Sequence, residues 1–180
     1  MELQGKTIGI LVERDFQDME VMYPYYRFKE AGASVVVVGV EAKEYKGKFG
    51  YPIKADRKAS EVAASKLDAL VIPGGWAPDF LRRDPSCVKL VKDMFEARKP
   101  VAAICHAGWM LCSARVLKGY RATSFFAIKD DMENAGAQWE DREVVIDRNL
   151  ITSRTPDDLP AFCKALSDML QAAPVGARKG

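Results

Sequence analysis

Cys105 stands directly beside His106, the single histidine of the chain, in the run "PVAAICHAGWML" over residues 100–111. A cysteine can supply a nucleophilic sulfur and an adjacent imidazole can move its proton, so the pair is a candidate for covalent chemistry. Cys105 follows an apolar strand and precedes a helical pattern carrying Met110, Leu111, Ala114 and Leu117, closed by Gly119. Ala103 and Ala107, two residues to either side, are small enough for a sharp strand-to-helix turn, as in a nucleophile elbow. That turn would expose the sulfur near a helix N-terminus and is expected to bring its pKa down, toward roughly 3.5–7.5. Of the other cysteines, Cys112 and Cys163 fall within helical patterns and read as packing residues, and Cys87, in a first helical turn, reads as inert.

Two further loops offer partners for the sulfur. In "PGGWAPD", Gly74 and Gly75 let the backbone approach a ligand closely, and their N–H groups together with that of His106 could form an oxyanion hole. The loop "ERDFQDME" carries Glu13, Asp15, Asp18 and Glu20. A carboxylate leaning over a thiolate would be protonated and could donate a hydrogen bond to the sulfur.

These loops need a scaffold that brings them to one edge. Continuous apolar runs at 6–12, 33–40, 67–75 and 99–107, with one or two strands more in 142–153, read as strands covered on both faces. Helical patterns lie between them. Val21, Tyr25 and Phe28 share one face ahead of Gly32, and Pro24 either bends that helix or marks its true start. Asp84 with Pro85, and Thr155 with Pro156, are helix-start signals. Residues 44–57 read as a hairpin or excursion. The alternation predicts an open α/β sandwich whose mostly parallel sheet gathers its loops at the carboxyl ends of the strands, with the elbow after a central strand. A single domain is expected over 1–172, with 173–180 a flexible tail.

Composition narrows the partners. The chain has 180 residues, of which 48% are hydrophobic, and its 27 Lys+Arg against 25 Asp+Glu leave a net charge of +2. With no basic block except the terminal "GARKG", neither nucleic acid nor an anionic membrane is expected as a partner. No apolar run approaches the roughly 20 residues of a membrane span, and no signal-peptide pattern opens the chain, so a cytoplasmic location is expected. One histidine and no Cys-x-x-Cys pair argue against a metal site. A loop after the first strand without glycine argues against a nucleotide cofactor, and no cofactor is expected.

The stretches "DFQDMEVMYPYYRFKEAG", "DALVIPGGWAPDFLR", "KPVAAICHAGWML", "TSFFAIKDDMENAGAQW" and "VVIDRNLITSRTPDDL" together resemble the PfpI family, in the superfamily of the human parkinsonism-associated deglycase and with a class I glutamine amidotransferase-like fold. The resemblance implies a flavodoxin-like three-layer α/β sandwich with Cys105 as nucleophile, His106 as its partner and Glu20 as the carboxylic acid beside the thiol. It also implies Gly75 and the His106 backbone as oxyanion donors, and a dimer or a hexamer in which Asp79 reaches His106 of a neighbouring subunit. Asp79 stands where the family archetype has glutamate, Gln17 where it has a second glutamate, and Phe125 where it has tyrosine. Ala107-Gly108 replaces the common Gly-Pro, and Trp109 follows; with Gly74, Trp76 and Phe125 it would line the pocket. With no second histidine, the Cys-His-Glu triad of a glutamine amidotransferase cannot be built.

Three functions fit these residues. The favoured one is a glyoxalase- or deglycase-type enzyme that acts on methylglyoxal or its adducts, without cofactor. The second is an intracellular cysteine peptidase whose site is shared between subunits. The third is a thiol redox sensor, since an accessible thiolate is readily oxidised.

Overall fold

The computed structural model describes residues 1–172, so the tail expected at 173–180 lies outside the described residues. One seven-stranded sheet organises them. Next to its middle strand runs β1 (Thr7–Val12), with β2 (Ser34–Gly39) parallel on one side. The short β5 (Arg57–Lys58) follows outside β2. On the other side of β1 lie β6 (Ala69–Ile72), β7 (Val101–Ile104) and β11 (Leu150–Ser153), all parallel. Only β10 (Val145–Asp147), at the far edge, is antiparallel. Strands β6, β7 and β11 are buried at every position, which explains their unbroken apolar runs.

The helices covering this sheet begin where the sequence signals them. The Asp84 carboxylate accepts from the Ser86 and Cys87 amides and starts α3 (Pro85–Glu96). Thr155 and Asp158 form a capping box ahead of α6 (Leu159–Ala172). Pro24 lies inside α1 (Asp18–Glu30) without ending it. Its ring is buried, and burial against the sheet holds the helix through the one missing N–H bond, which would have gone to the Glu20 carbonyl. The helix after Cys105 is shorter than expected. A 3-10 turn over Cys105–Ala107 leads into α4 (Gly108–Ala114), and Arg115 at φ +57° closes it, ahead of Gly119. The loop after β6 carries an unanticipated short helix, α2 (Ala77–Leu81). Beyond α4, β8 (Arg121–Ala122) pairs with β9 (Gln138–Trp139) around α5 (Lys129–Asn134).

The excursion after β2 is a hairpin, β3 (Glu44–Lys46) against β4 (Pro52–Lys54). Asp18 at the start of α1 pins its turn: the carboxylate accepts from the Phe49 and Tyr51 amides at 3.0 and 2.9 Å. Gly47 fits there because a Cβ would lie 2.4 Å from the Asp18 Oδ1. Bonds of this charged kind are worth about 1.5–3 kcal/mol each. Asp18→Ala should therefore speed amide exchange at Phe49 and Tyr51 by at least about tenfold in NMR-detected hydrogen exchange, with β1 amides unchanged.

Candidate active site

The site is assembled at the carboxyl ends of β1, β6 and β7. Ile104 ends β7 in an extended conformation, and Cys105 turns the chain abruptly at φ +63°. A non-glycine residue in this region costs about 1–3 kcal/mol and is held there only by its surroundings. Here the Phe125 amide donates to the Cys105 carbonyl at 3.2 Å. Gly108, at the start of α4, packs so tightly that a Cβ would sit 2.4 Å from the Met132 sulfur of α5. The elbow therefore rests on two contacts distant in sequence.

Gly74 and Gly75 close the opposite wall. A Cβ on Gly74 would meet the Cys105 Cβ at 2.7 Å, the Glu20 Oε2 at 2.7 Å and the Cys105 Sγ at 3.1 Å, so only glycine lets all three converge. Gly75, at φ +73°, pairs across a bridge with Phe16, and a Cβ there would lie 2.4 Å from the Gln17 amide nitrogen. The Gln17 and Trp76 amides are spent on the Gly74 and Asp15 carbonyls. The amides of Gly75 and His106 are left to face the Cys105 sulfur.

Of the four carboxylates in the first loop, the structure brings only Glu20 to the thiol. Asp18 holds the hairpin, and Glu13 accepts from the adjacent Arg14 amide. Glu20 is fully buried; its Oε2 accepts from the Gly74 amide at 2.6 Å, while its Oε1 has no partner among the described residues. Burial pushes this carboxyl up from 4.5 to about 8, against the pull of the Gly74 amide, the Cys105 thiol and the Lys48 charge. Glu20 is therefore protonated at neutral pH. Gln17, which stands where the family archetype has a second glutamate, is buried and caps α1 by accepting from the Met19 amide at 2.7 Å.

The expected depression of the thiol is not what this environment produces. Burial, reinforced by the neighbouring Glu20 charge, pushes Cys105 up to about 12, and the two facing amides oppose it only in part. The helix-terminus argument failed because a 3-10 turn precedes a short helix, and because the sulfur is buried beside a carboxyl. Two negative charges in such contact repel strongly, so the pair loses its protons in succession, and one negative charge is the most it holds near neutrality. The unpartnered Glu20 oxygen and the two amides on sulfur are placed to share that charge.

His106 lies on the outer side of the sulfur, with its Nδ1 3.3 Å from the Sγ. Its ring stacks on Phe125 at 4.9 Å and is flanked by Trp109 at 5.1 Å and Trp76 at 5.3 Å. Burial in this box, and then the Lys48 charge, lower its pKa, which keeps the imidazole neutral. The Trp109 Nε1–H donates to Asp131 at 3.0 Å, which fixes that wall. The phenyl ring of Phe125 supplies area but no proton. Asp79 is not brought to His106 within the chain: it forms an ion pair with Arg83 one turn along. Cys87 and Cys163 are buried, in keeping with packing roles, and Cys112 is half-buried.

Sequence reasoning missed Lys48. Its charge acts on both Glu20 and His106, and the only sequence signal was a lysine between two closely spaced glycines. Among the described residues no cluster of three or more His, Cys, Asp or Glu side chains is placed to hold a metal ion, and no helix is long and apolar enough to cross a membrane.

The family model for the DJ-1/PfpI family matches residues 6–169. The deglycase PfpI of Pyrococcus furiosus is 45% identical over 164 residues, covering 91% of this chain and 99% of that one. The protein/nucleic acid deglycase 2 of Escherichia coli is 42% identical over 171 residues, covering 93% and 99%. Among solved structures, Drosophila melanogaster DJ-1beta superposes with a TM-score of 0.86 at 27% identity, covering 92% of this chain and 90% of that one.

The raised carboxyl has a thermodynamic consequence. Between its ordinary 4.5 and about 8 the folded state binds a proton at Glu20 that the unfolded chain has lost, so stability falls as pH rises through this window. Thermal melts should show that Glu20→Gln loses less stability than the wild type between those two pH values.

Proposed function

The chain belongs to the DJ-1/PfpI family, and from that membership and the geometry around Cys105 we propose a cysteine-dependent enzyme that converts 2-oxoaldehydes such as methylglyoxal, or their amine adducts, to 2-hydroxy acids. The observation carrying this reading is the convergence of a buried, protonated Glu20 and the Cys105 sulfur on Gly74. Relatives that are 45% and 42% identical bear the name deglycase.

The Cys105 sulfur adds to the aldehyde carbon while its proton passes through His106 Nδ1, 3.3 Å away, to the aldehyde oxygen, which lies toward the Gly75 and His106 amides. Neutral His106 then removes the proton from that carbon as Glu20 gives its own to the neighbouring carbonyl oxygen; His106 delivers its proton to the neighbouring carbon, and the first hydroxyl returns its proton to Glu20. The first carbon is thereby oxidised to a thioester as the second is reduced to a hydroxyl-bearing carbon. Water cleaves the thioester, releasing the 2-hydroxy acid and restoring the thiol. The sum is 2-oxoaldehyde plus water giving 2-hydroxy acid, with no external oxidant, reductant or cofactor. With an amine adduct, the amine departs as the free base. Gly74, Trp76, Trp109 and Phe125 form the wall against which a small carbonyl would pack.

Peptide hydrolysis from the same nucleophile would require an acid to orient His106. In one protomer Asp79 is held by Arg83, so that acid would have to come from a neighbouring subunit of a dimer or hexamer. The carbonyl reaction needs no such partner, which favours it.

Lactate formation from methylglyoxal without glutathione tests this reading. The wild type should turn over. Cys105→Ala should lose activity to background, and Glu20→Gln, which keeps shape but cannot transfer its proton, should lose about 10²–10⁴-fold in kcat. No lactate from the reduced wild type would reject it.

A further inference from the structure

Lys48 sits at the turn between β3 and β4, and its backbone is fixed at the rim of the cysteine site. The Lys48 amide donates to the Phe16 carbonyl at 2.9 Å, and Phe16 in turn bridges Gly75. The Lys46 carbonyl accepts from the Asp15 amide at 2.9 Å, and Asp18 holds the far side of the turn through the Phe49 and Tyr51 amides. Gly50, at φ +93°, closes the turn by donating its amide N–H to the Gly47 carbonyl at 2.8 Å. Two strand pairs and a buried carboxylate thus deliver one lysine to the edge of the site.

The other cations of this region are committed. Arg83 pairs with Asp79, Arg82 donates to Ser113 beside the Trp109 ring, and Arg14 lies over Phe80. Lys48 has no carboxylate in ion-pair contact among the described residues; its ammonium rests 5.0 Å from the centre of the Phe49 ring. Its field reaches both Glu20 and His106. Glu20 and Cys105 are both buried, so a small molecule whose carbonyl meets the sulfur extends outward, to the rim where the Lys48 turn is anchored.

We propose that Lys48, held over the site by the β3–β4 turn, selects 2-oxoaldehydes that carry an anionic group, a carboxylate or a phosphate, at the end remote from the reacting aldehyde. This rests on the carbonyl reaction given above and adds no step to it: sulfur addition, internal proton transfer and thioester hydrolysis balance as before, and the anion is bound without being changed. An ammonium is a compact point charge suited to either anion, and at a rim its attraction is partly screened by salt.

The test compares kcat/KM for 4,5-dioxopentanoate, which carries a carboxylate, with that for its neutral methyl ester; a third arm uses the phosphate-bearing 3-phosphooxy-2-oxopropanal. Wild type should prefer the carboxylate over the ester by about tenfold at low salt, a preference that shrinks as salt is added. In Lys48→Met the ratio should fall to near one; in Lys48→Arg it should persist. The use of ratios removes any effect of the lysine on Glu20 and His106 that is common to both substrates. A phosphate preference exceeding the carboxylate preference would assign the natural anion to a phosphate ester, and the reverse to a carboxylate. Turnover of the ester with no anion preference, or a preference unchanged in Lys48→Met, overturns the role of Lys48 and leaves the carbonyl reaction standing. No turnover of any arm by the wild type overturns both.

Discussion

A carboxyl group buried against a thiol is the constraint around which this protein is arranged. Glu20 is fully enclosed, and burial holds its proton up to about 8. Placing an ionised carboxylate there would cost several kcal/mol, and more beside a second anion. The site therefore keeps a proton near the sulfur by exclusion of water, where a surface site would lose it. Gly74 makes the approach possible, because any side chain at that position would stand where the two groups meet.

The surrounding fold serves that contact. Parallel strands β1, β6 and β7 end at one level, so the first turn of α1 with Glu20 and the loops bearing Gly74 and Cys105 meet at the same edge. The strained Cys105 is tied down by Phe125 and by the close packing of Gly108 on Met132. An elbow without these restraints would relax, turning the sulfur away from the Gly75 and His106 amides. The hairpin adds a rim of opposite charge to a floor that holds at most one negative charge. The aromatic box around His106 keeps the imidazole neutral and able to accept a proton.

Much of this was legible in the sequence wherever the signal was local. Unbroken apolar runs marked the parallel strands. Asp84 with Pro85 and Thr155 with Pro156 marked two helix starts, and alanines around Cys105 marked the elbow. What escaped depended on contacts between distant segments. The family resemblance, and no local pattern, singled out Glu20 among the four carboxylates, because helical phase and the pairing of the first loop with Gly74 and Gly75 decide which one faces the thiol. Pro24 could not be placed because burial, absent from a local pattern, decides whether a helix tolerates it. The thiol pKa was misjudged in direction because a helix-end argument counts a dipole and leaves out burial and a neighbouring acid. Lys48 was invisible as a site residue because bonds to Asp15, Phe16 and Asp18, all distant in sequence, bring its turn to the rim of the site.

The central claim is that Glu20 keeps its proton at neutral pH, beside Cys105. Infrared difference spectroscopy between wild type and Glu20→Gln, followed through a pH titration, reads the carbonyl stretch of that one carboxylic acid. The account predicts a protonated-acid band that persists at neutral pH and vanishes only around 8. A band already gone at mildly acidic pH would mean an ordinary carboxylate at this position and would contradict the account.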